Sequence, residues 1–197
     1  MKIILAKSAG FCFGVRRAVE LTEQTAAKVA ESGSAAKVFT FGELIHNRDV
    51  VNRLREAGIA PIESLDEAQR GDYVIIRSHG VPKKIYEELE TRGINFIDAT
   101  CPFVSNIHRI VSAAYERGEQ VFIVGNPEHP ETIGINGHCG NSAIFIRGEE
   151  ELRKLEGRSG CLVVQTTFDS ETFAAMQRVI EREYPRIRVF NSICRTP

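Results

Sequence analysis

The sequence predicts an α/β protein made of two small lobes, each a parallel sheet with helices on both faces. Two observations lead there. Short apolar strands and amphipathic helical segments alternate along all 197 residues, the order that builds parallel sheets. The strand 73–77 carries a continuous apolar run, as expected where both faces of a sheet are covered. The strands are too many for one small sheet. A boundary near Cys101 divides them into halves of similar order, so the lobes are expected over residues 1–100 and 101–190.

Taken in order, residues 3–6 read as the first strand, and Ser8-Ala9-Gly10-Phe11-Cys12-Phe13-Gly14 as a turn bracketed by two glycines. A helix follows over 15–31, with Val15, Ala18, Val19, Ala26 and Val29 on one face and Gly33 near its end. Residues 37–41 form a strand that runs into Gly42-Glu43-Leu44-Ile45-His46-Asn47. A short helix over 49–57 turns Val50, Val51 and Leu54 inward and stops at Gly58, and 64–68 make a further helical turn. The strand 73–77 ends in Ser78-His79-Gly80, and Pro82 opens a helix to residue 92 that Gly93 closes. Next come a strand at 94–97, the turn Asp98-Ala99-Thr100-Cys101-Pro102, and a helix over 103–117. The second half supplies strands at 120–124, 142–147, 161–165 and 188–190, with helices at 149–155 and 170–183. Gly125-Asn126-Pro127-Glu128-His129-Pro130-Glu131 is rich in turn formers and reads as a loop.

Composition narrows the function classes. Apolar residues make up 43% and charged residues 26%, the balance of an ordinary globular protein. A net charge of −1 without basic runs gives no reason to expect nucleic acid or an anionic membrane, and no apolar run is long enough to span a bilayer. Met1-Lys2-Ile3-Ile4-Leu5 reads as the start of a strand and not as a secretory signal, which places the protein in the cytoplasm with its five cysteines reduced.

Seven residues share one kind of position. Cys12, His46, His79, Cys101, His129, Thr166 and Cys194 each follow the end of an expected strand. In a parallel sheet those ends face one way, so their loops can gather at one cleft. Three thiolates there suit zinc or an iron–sulfur cluster, and the residues alone leave that choice open. The three histidines suit an anionic ligand such as a phosphate. Glu131 can carry a proton beside such groups, and the Thr166 hydroxyl can donate or accept in the same relay. Cys161, at the start of its strand, reads as core, and Cys139 as a core or loop residue. His108 reads as a hydrogen-bonded structural histidine, and Arg16-Arg17 as solvated helix surface.

Gly10-Phe11-Cys12-Phe13-Gly14-Val15, Gly42-Glu43-Leu44-Ile45-His46-Asn47, Arg77-Ser78-His79-Gly80, Asp98-Ala99-Thr100-Cys101-Pro102 and His129-Pro130-Glu131 together resemble the 4-hydroxy-3-methylbut-2-enyl diphosphate reductase family. Gln165-Thr166-Thr167 and Ser192-Ile193-Cys194 fit the same pattern. The resemblance implies the last step of the non-mevalonate isoprenoid pathway, in which an allylic diphosphate loses a hydroxyl to give isopentenyl and dimethylallyl diphosphate. It implies a [4Fe–4S] cluster held by Cys12, Cys101 and Cys194, a diphosphate held by His46, His79 and His129, proton delivery by Glu131, and a hydroxyl network through Thr166. It further implies a ferredoxin or flavodoxin as electron donor and three α/β lobes around a central cluster. The family's chain continues past the third cysteine into its third lobe, whereas this sequence stops at Pro197. The expectation is therefore a chain lacking that lobe, with 191–197 as its start and 1–12 as a candidate part of it, and with low or no turnover alone.

Overall fold

The computed structural model describes residues 10–194 and holds two four-stranded sheets, parallel throughout. The strand expected at 3–6 lies outside the described residues. The chain divides into two compact units, the first containing residues 10–78 and Ile94–Cys101, the second His79–Gly93 and Pro102–Cys194.

In the first unit α1 (Phe13–Glu31) precedes β1 (Val38–Phe41), α2 (Arg48–Glu56), β2 (Ala60–Ile62), β3 (Tyr73–Ile76) and β4 (Asn95–Asp98). The strand order is β2-β1-β3-β4. The sheet is registered by Val38 opposite Tyr73 and Tyr73 opposite Asn95. Apolar positions recurring every three or four residues bury α1 through Ala18, Val19 and Val29, and these meet Val50 and Leu54 of α2 over Val38 and Ile75 of the sheet. Thr22 and Thr25 share the buried face of α1, because their hydroxyls donate to the carbonyls of Ala18 and Leu21 at 2.8 and 2.7 Å. Asn47 starts α2, its side chain accepting from the Val50 amide at 3.1 Å. The helical turn expected at 64–68 is a 3-10 turn, Leu65–Glu67, closed by a capping box between Ser64 and Glu67. The strand β2 is an addition to the expected set. Its Pro61 lacks an amide hydrogen, a loss a sheet tolerates at the edge, where β2 lies.

The second unit contains α3 (Lys83–Arg92), α4 (Pro102–Glu116), β5 (Gln120–Val124), α5 (Pro130–Gly137), β6 (Ile144–Ile146), β7 (Gly160–Val164), α6 (Ser170–Glu183) and β8 (Ile187–Phe190), in the strand order β6-β5-β7-β8. Strict alternation along β5 and β7 gives this sheet a core on each face. Phe122, Val124, Leu162 and Val164 pack with Phe173, Met176 and Ile180 of α6. Val121, Ile123, Cys161 and Val163 pack with Ile107, Val111 and Ala114 of α4 and Ile135 of α5. The segment Glu149–Leu155 is a 3-10 helix. The helix α5 replaces part of the expected loop. Two glycines lower its intrinsic propensity, but Pro at its first position and a buried Ile135 support it.

Each sheet has the same doubly wound order, so the chain reverses direction across the sheet between β1 and β3 and again between β5 and β7. The loops at the carboxyl ends of those strands are where such sheets bind ligands. Among the described residues no helix is long and apolar enough to cross a membrane.

His108 corrects an expectation. It lies on the buried face of α4 at 6% exposure, and its Nε2 has no hydrogen-bond partner. Its ring stacks on His138 with centroids 4.0 Å apart and planes 20° from parallel. Burial, with the neighbouring His138 adding to it, pushes His108 down to about 3. The folded state therefore keeps the ring neutral while the unfolded state binds a proton below the ordinary histidine value. Stability from this site is full near neutrality and is lost as pH falls from about 6.5 towards about 3. His108→Gln should flatten that loss, read as the difference in urea-unfolding free energy between the two proteins from pH 7 to 4.

Candidate functional site

In the first unit two candidate cysteines come to the start of one helix. Cys12 is the N-cap residue of α1, extended at φ −61° and ψ 165°, and Gly14 lies buried in the first turn. A Cβ on Gly14 would stand 2.6 Å from the Cys101 sulfur, so the glycine is what lets Cys101 pack against that turn. Cys101 itself directly follows the β4 turn, with its amide donating to the Ser78 carbonyl at 2.9 Å. The Ser78 amide and hydroxyl both donate to the carbonyl of Leu44, each at 3.2 Å, bridging the loops that follow β1 and β3. His46 sits exposed on the β1 loop, beside the α2 cap.

Arg17 corrects the solvated-surface reading. Its guanidinium donates to the carbonyls of Thr100 (3.1 Å) and Asp98 (3.2 Å), while the Asp98 carboxylate accepts from the Thr100 amide at 2.9 Å. The α1 helix thus grips the backbone immediately before Cys101. A basic pair in an amphipathic helix carries no signal of this, because the acceptors are carbonyls more than eighty residues away in sequence.

In the second unit the ends of β5 and β7 are joined by a buried acid. Glu131, 1% exposed in the first turn of α5, accepts from the Thr166 amide and from the Thr166 hydroxyl, both at 2.6 Å. Burial drives the Glu131 carboxyl above its ordinary value, and the two hydrogen bonds from Thr166 oppose that only in part. His129 caps the same helix, its Nδ1 accepting from the Glu131 amide at 3.1 Å, which leaves the proton of the neutral ring on Nε2. The His79 ring lies edge-on to it, with centroids 5.7 Å apart and planes at 84°. Beside Thr166, Gln165 accepts from the Asn126 amide at 3.0 Å, adding a second tie between the two loops. The Cys194 amide donates to the Thr166 carbonyl at 2.8 Å, so the stretch after β8 continues along the same edge.

His46, His79, Cys101, His129, Thr166 and Cys194 all follow the carboxyl ends of their strands; the strand expected before Cys12 is outside the described residues. The structure brings Cys12 and Cys101 to the first turn of α1 in one unit, and it groups His79, His129, Glu131, Thr166 and Cys194 in the other. Among the described residues no three His, Cys, Asp or Glu side chains stand close enough to hold one metal ion. Two of the candidate thiol ligands stand at the first turn of α1, Cys12 as its N-cap and Cys101 against Gly14, and thiolate is the donor type that suits an iron–sulfur cluster. Cys139 and Cys161 are fully buried, and burial pushes both thiols up to about 11, the state of inert core cysteines.

Comparison with known proteins gives a consistent result. The LytB protein family model matches residues 3–197. The chain is 44% identical over 194 residues to a 4-hydroxy-3-methylbut-2-enyl diphosphate reductase of Clostridium perfringens (strain 13 / Type A), covering 98% of this chain and 67% of the relative. It is 42% identical over 197 residues to the protein of that name from Thermoanaerobacter sp. (strain X514), again covering 98% and 67%. A solved structure of (E)-4-hydroxy-3-methyl-but-2-enyl diphosphate reductase, the terminal enzyme of the non-mevalonate pathway, superposes with a TM-score of 0.82 at 39% identity, over 98% of this chain and 68% of that one. The chain thus spans about two thirds of the length of these relatives.

Two measurements probe the geometry. Gly14→Ala should lower the unfolding free energy by about 1–3 kcal/mol, the usual cost of forcing a methyl into a filled space; a urea titration showing no change would mean that Cys101 does not pack there. Glu131 binds its proton more tightly in the folded state than in the unfolded one, so wild-type stability should fall as pH rises from the ordinary carboxyl range through the raised folded value. Glu131→Gln should show no such fall over the same range.

Proposed function

The chain belongs to the LytB protein family, and from that premise we propose that it carries the reductase chemistry its relatives are named for: removal of the allylic hydroxyl of 4-hydroxy-3-methylbut-2-enyl diphosphate to give isopentenyl and dimethylallyl diphosphate. The observation that carries this reading is the buried Glu131–Thr166 pair at the ends of β5 and β7. Burial raises the Glu131 carboxyl above its ordinary value and so favours the protonated acid, the form a leaving hydroxyl needs.

The reaction replaces a C–OH bond with C–H and releases water, consuming two electrons and two protons. Glu131 delivers a proton to the departing oxygen, and the Thr166 hydroxyl, bonded to the same carboxyl, orients that proton. His46, His79 and His129 hold the diphosphate; His129 presents an Nε2–H donor because its Nδ1 is engaged with the Glu131 amide. Fixing the anionic end of the substrate keeps its reacting carbon in register with the acid. Cys12, Cys101 and Cys194 would hold a [4Fe–4S] cluster, which when bound supplies electrons and a Lewis-acidic iron. The electron donor is a ferredoxin or flavodoxin, and the compartment is the cytoplasm, where free thiols such as these stay reduced.

Anaerobic reconstitution followed by iron and sulfide analysis should find about four of each per chain, with a sharp loss in Cys101→Ser. Given a strong chemical reductant, the loaded protein alone should form both products only at a low rate, and Glu131→Gln should lower even that rate without loss of iron. Metal uptake with no substrate-dependent change in the absorption spectrum would overturn the reading in favour of a non-catalytic iron–sulfur or zinc-binding module.

A further inference from the structure

The helix α5 does more than carry His129 and Glu131 at its start. Its other end is seated on the backbone that carries His79. A Cβ on Gly134 would lie 3.5 Å from the His79 carbonyl oxygen and 3.5 Å from the Gly80 carbonyl carbon. One turn on, a Cβ on Gly137 would collide with the Pro82 ring. At Gly134 the helix is in ordinary contact with that backbone, and Gly137 lets it approach the Pro82 ring more closely than any side chain would allow. Next to Gly137, the His138 Nε2–H donates to the Val81 carbonyl at 3.1 Å. That bond is aimed by the stacking of His138 on His108, a neutral ring fixed in the core face of α4.

We propose that His138 is a positioning residue for anion binding: by gripping the Val81 carbonyl it sets the edge-on spacing of His79 against His129. The inference rests on the reading that those two histidines hold a diphosphate. The hydrogen bond reaches the segment two residues beyond His79, and the helix that supplies it begins at His129. Any slack between α5 and residues 79–82 therefore appears directly as a change in the His79–His129 separation. His138 takes no part in proton transfer; it acts through the backbone it holds.

The test uses the full chain with inorganic pyrophosphate as the probe. Affinity is measured by calorimetry for wild type, His79→Ala, His138→Asn, His138→Gln and Gly137→Ala. The spacing of the His79 and His129 rings is read independently from nuclear Overhauser contacts in the ligand-free protein. Glutamine places an N–H donor where Nε2 stands, and asparagine falls short. His138→Asn should weaken pyrophosphate binding about three- to tenfold, the worth of one neutral hydrogen bond, and should lose the ring–ring contacts. His138→Gln should bind within about twofold of wild type and keep them, a rescue that a general packing role would not produce. Gly137→Ala, which disturbs the same seam from the other side, should behave like His138→Asn. Wild-type affinity and intact ring contacts in both His138→Asn and Gly137→Ala would overturn the inference. Unchanged affinity in His79→Ala would instead overturn the diphosphate reading, and the ring contacts would still decide the role of His138.

Discussion

The two hydrogen bonds from Thr166 to the Glu131 carboxyl are the constraint around which the second unit is arranged. They join the end of β7 to the first turn of α5 across the place where the sheet reverses its winding. An acid at 1% exposure is costly unless it is hydrogen-bonded, and here the two Thr166 bonds offset part of the burial that raises its carboxyl above the ordinary value. Because Thr166 also accepts from the Cys194 amide through its carbonyl, one residue links the acid, the strand end and the segment bearing a candidate thiol ligand. Loosening that residue would disturb all three.

The first unit solves a different problem with the same economy of parts. A thiol can pack against a helix end only if nothing else occupies the space, and Gly14 keeps the space open. Arg17, one turn along α1, then holds the carbonyls of Asp98 and Thr100, just before Cys101. Cap, gap and clamp all belong to the first turns of one helix, so the placement of Cys101 relative to Cys12 depends on a single rigid element.

Much of this arrangement is legible in the amino-acid sequence. The strand β3 stands out because it is buried on both faces and so reads as a continuous apolar run, and β5 and β7 carry similar runs of buried apolar residues. The candidate residues stand out because Cys, His and Thr follow strand ends where turn formers would otherwise suffice. What stays hidden follows physical rules. The helix α5 is masked by Gly134 and Gly137, both unfavourable to an isolated helix, the second leaving room for the Pro82 ring. The strand β2 is masked by Pro61, acceptable only because of its edge position. The contacts of Arg17 and His138 are invisible because each donates to a main-chain carbonyl, and a carbonyl leaves no trace in residue identity. His108 departs from expectation for a related reason: a helical pattern shows that a side chain faces inward, without showing whether an acceptor waits there.

The crossover helix α3 groups with the second unit although it connects two neighbouring strands of the first. The chain consequently passes between the units at residues 78–79, 93–94 and 101–102. No single nick in those passages releases either half as a continuous polypeptide, and a gene cut at Cys101 would strip the second half of a helix while leaving that helix stranded on the first. Dissecting this protein genetically therefore calls for rewiring the order of its segments, with β3 spliced directly to β4 and α3 grafted elsewhere.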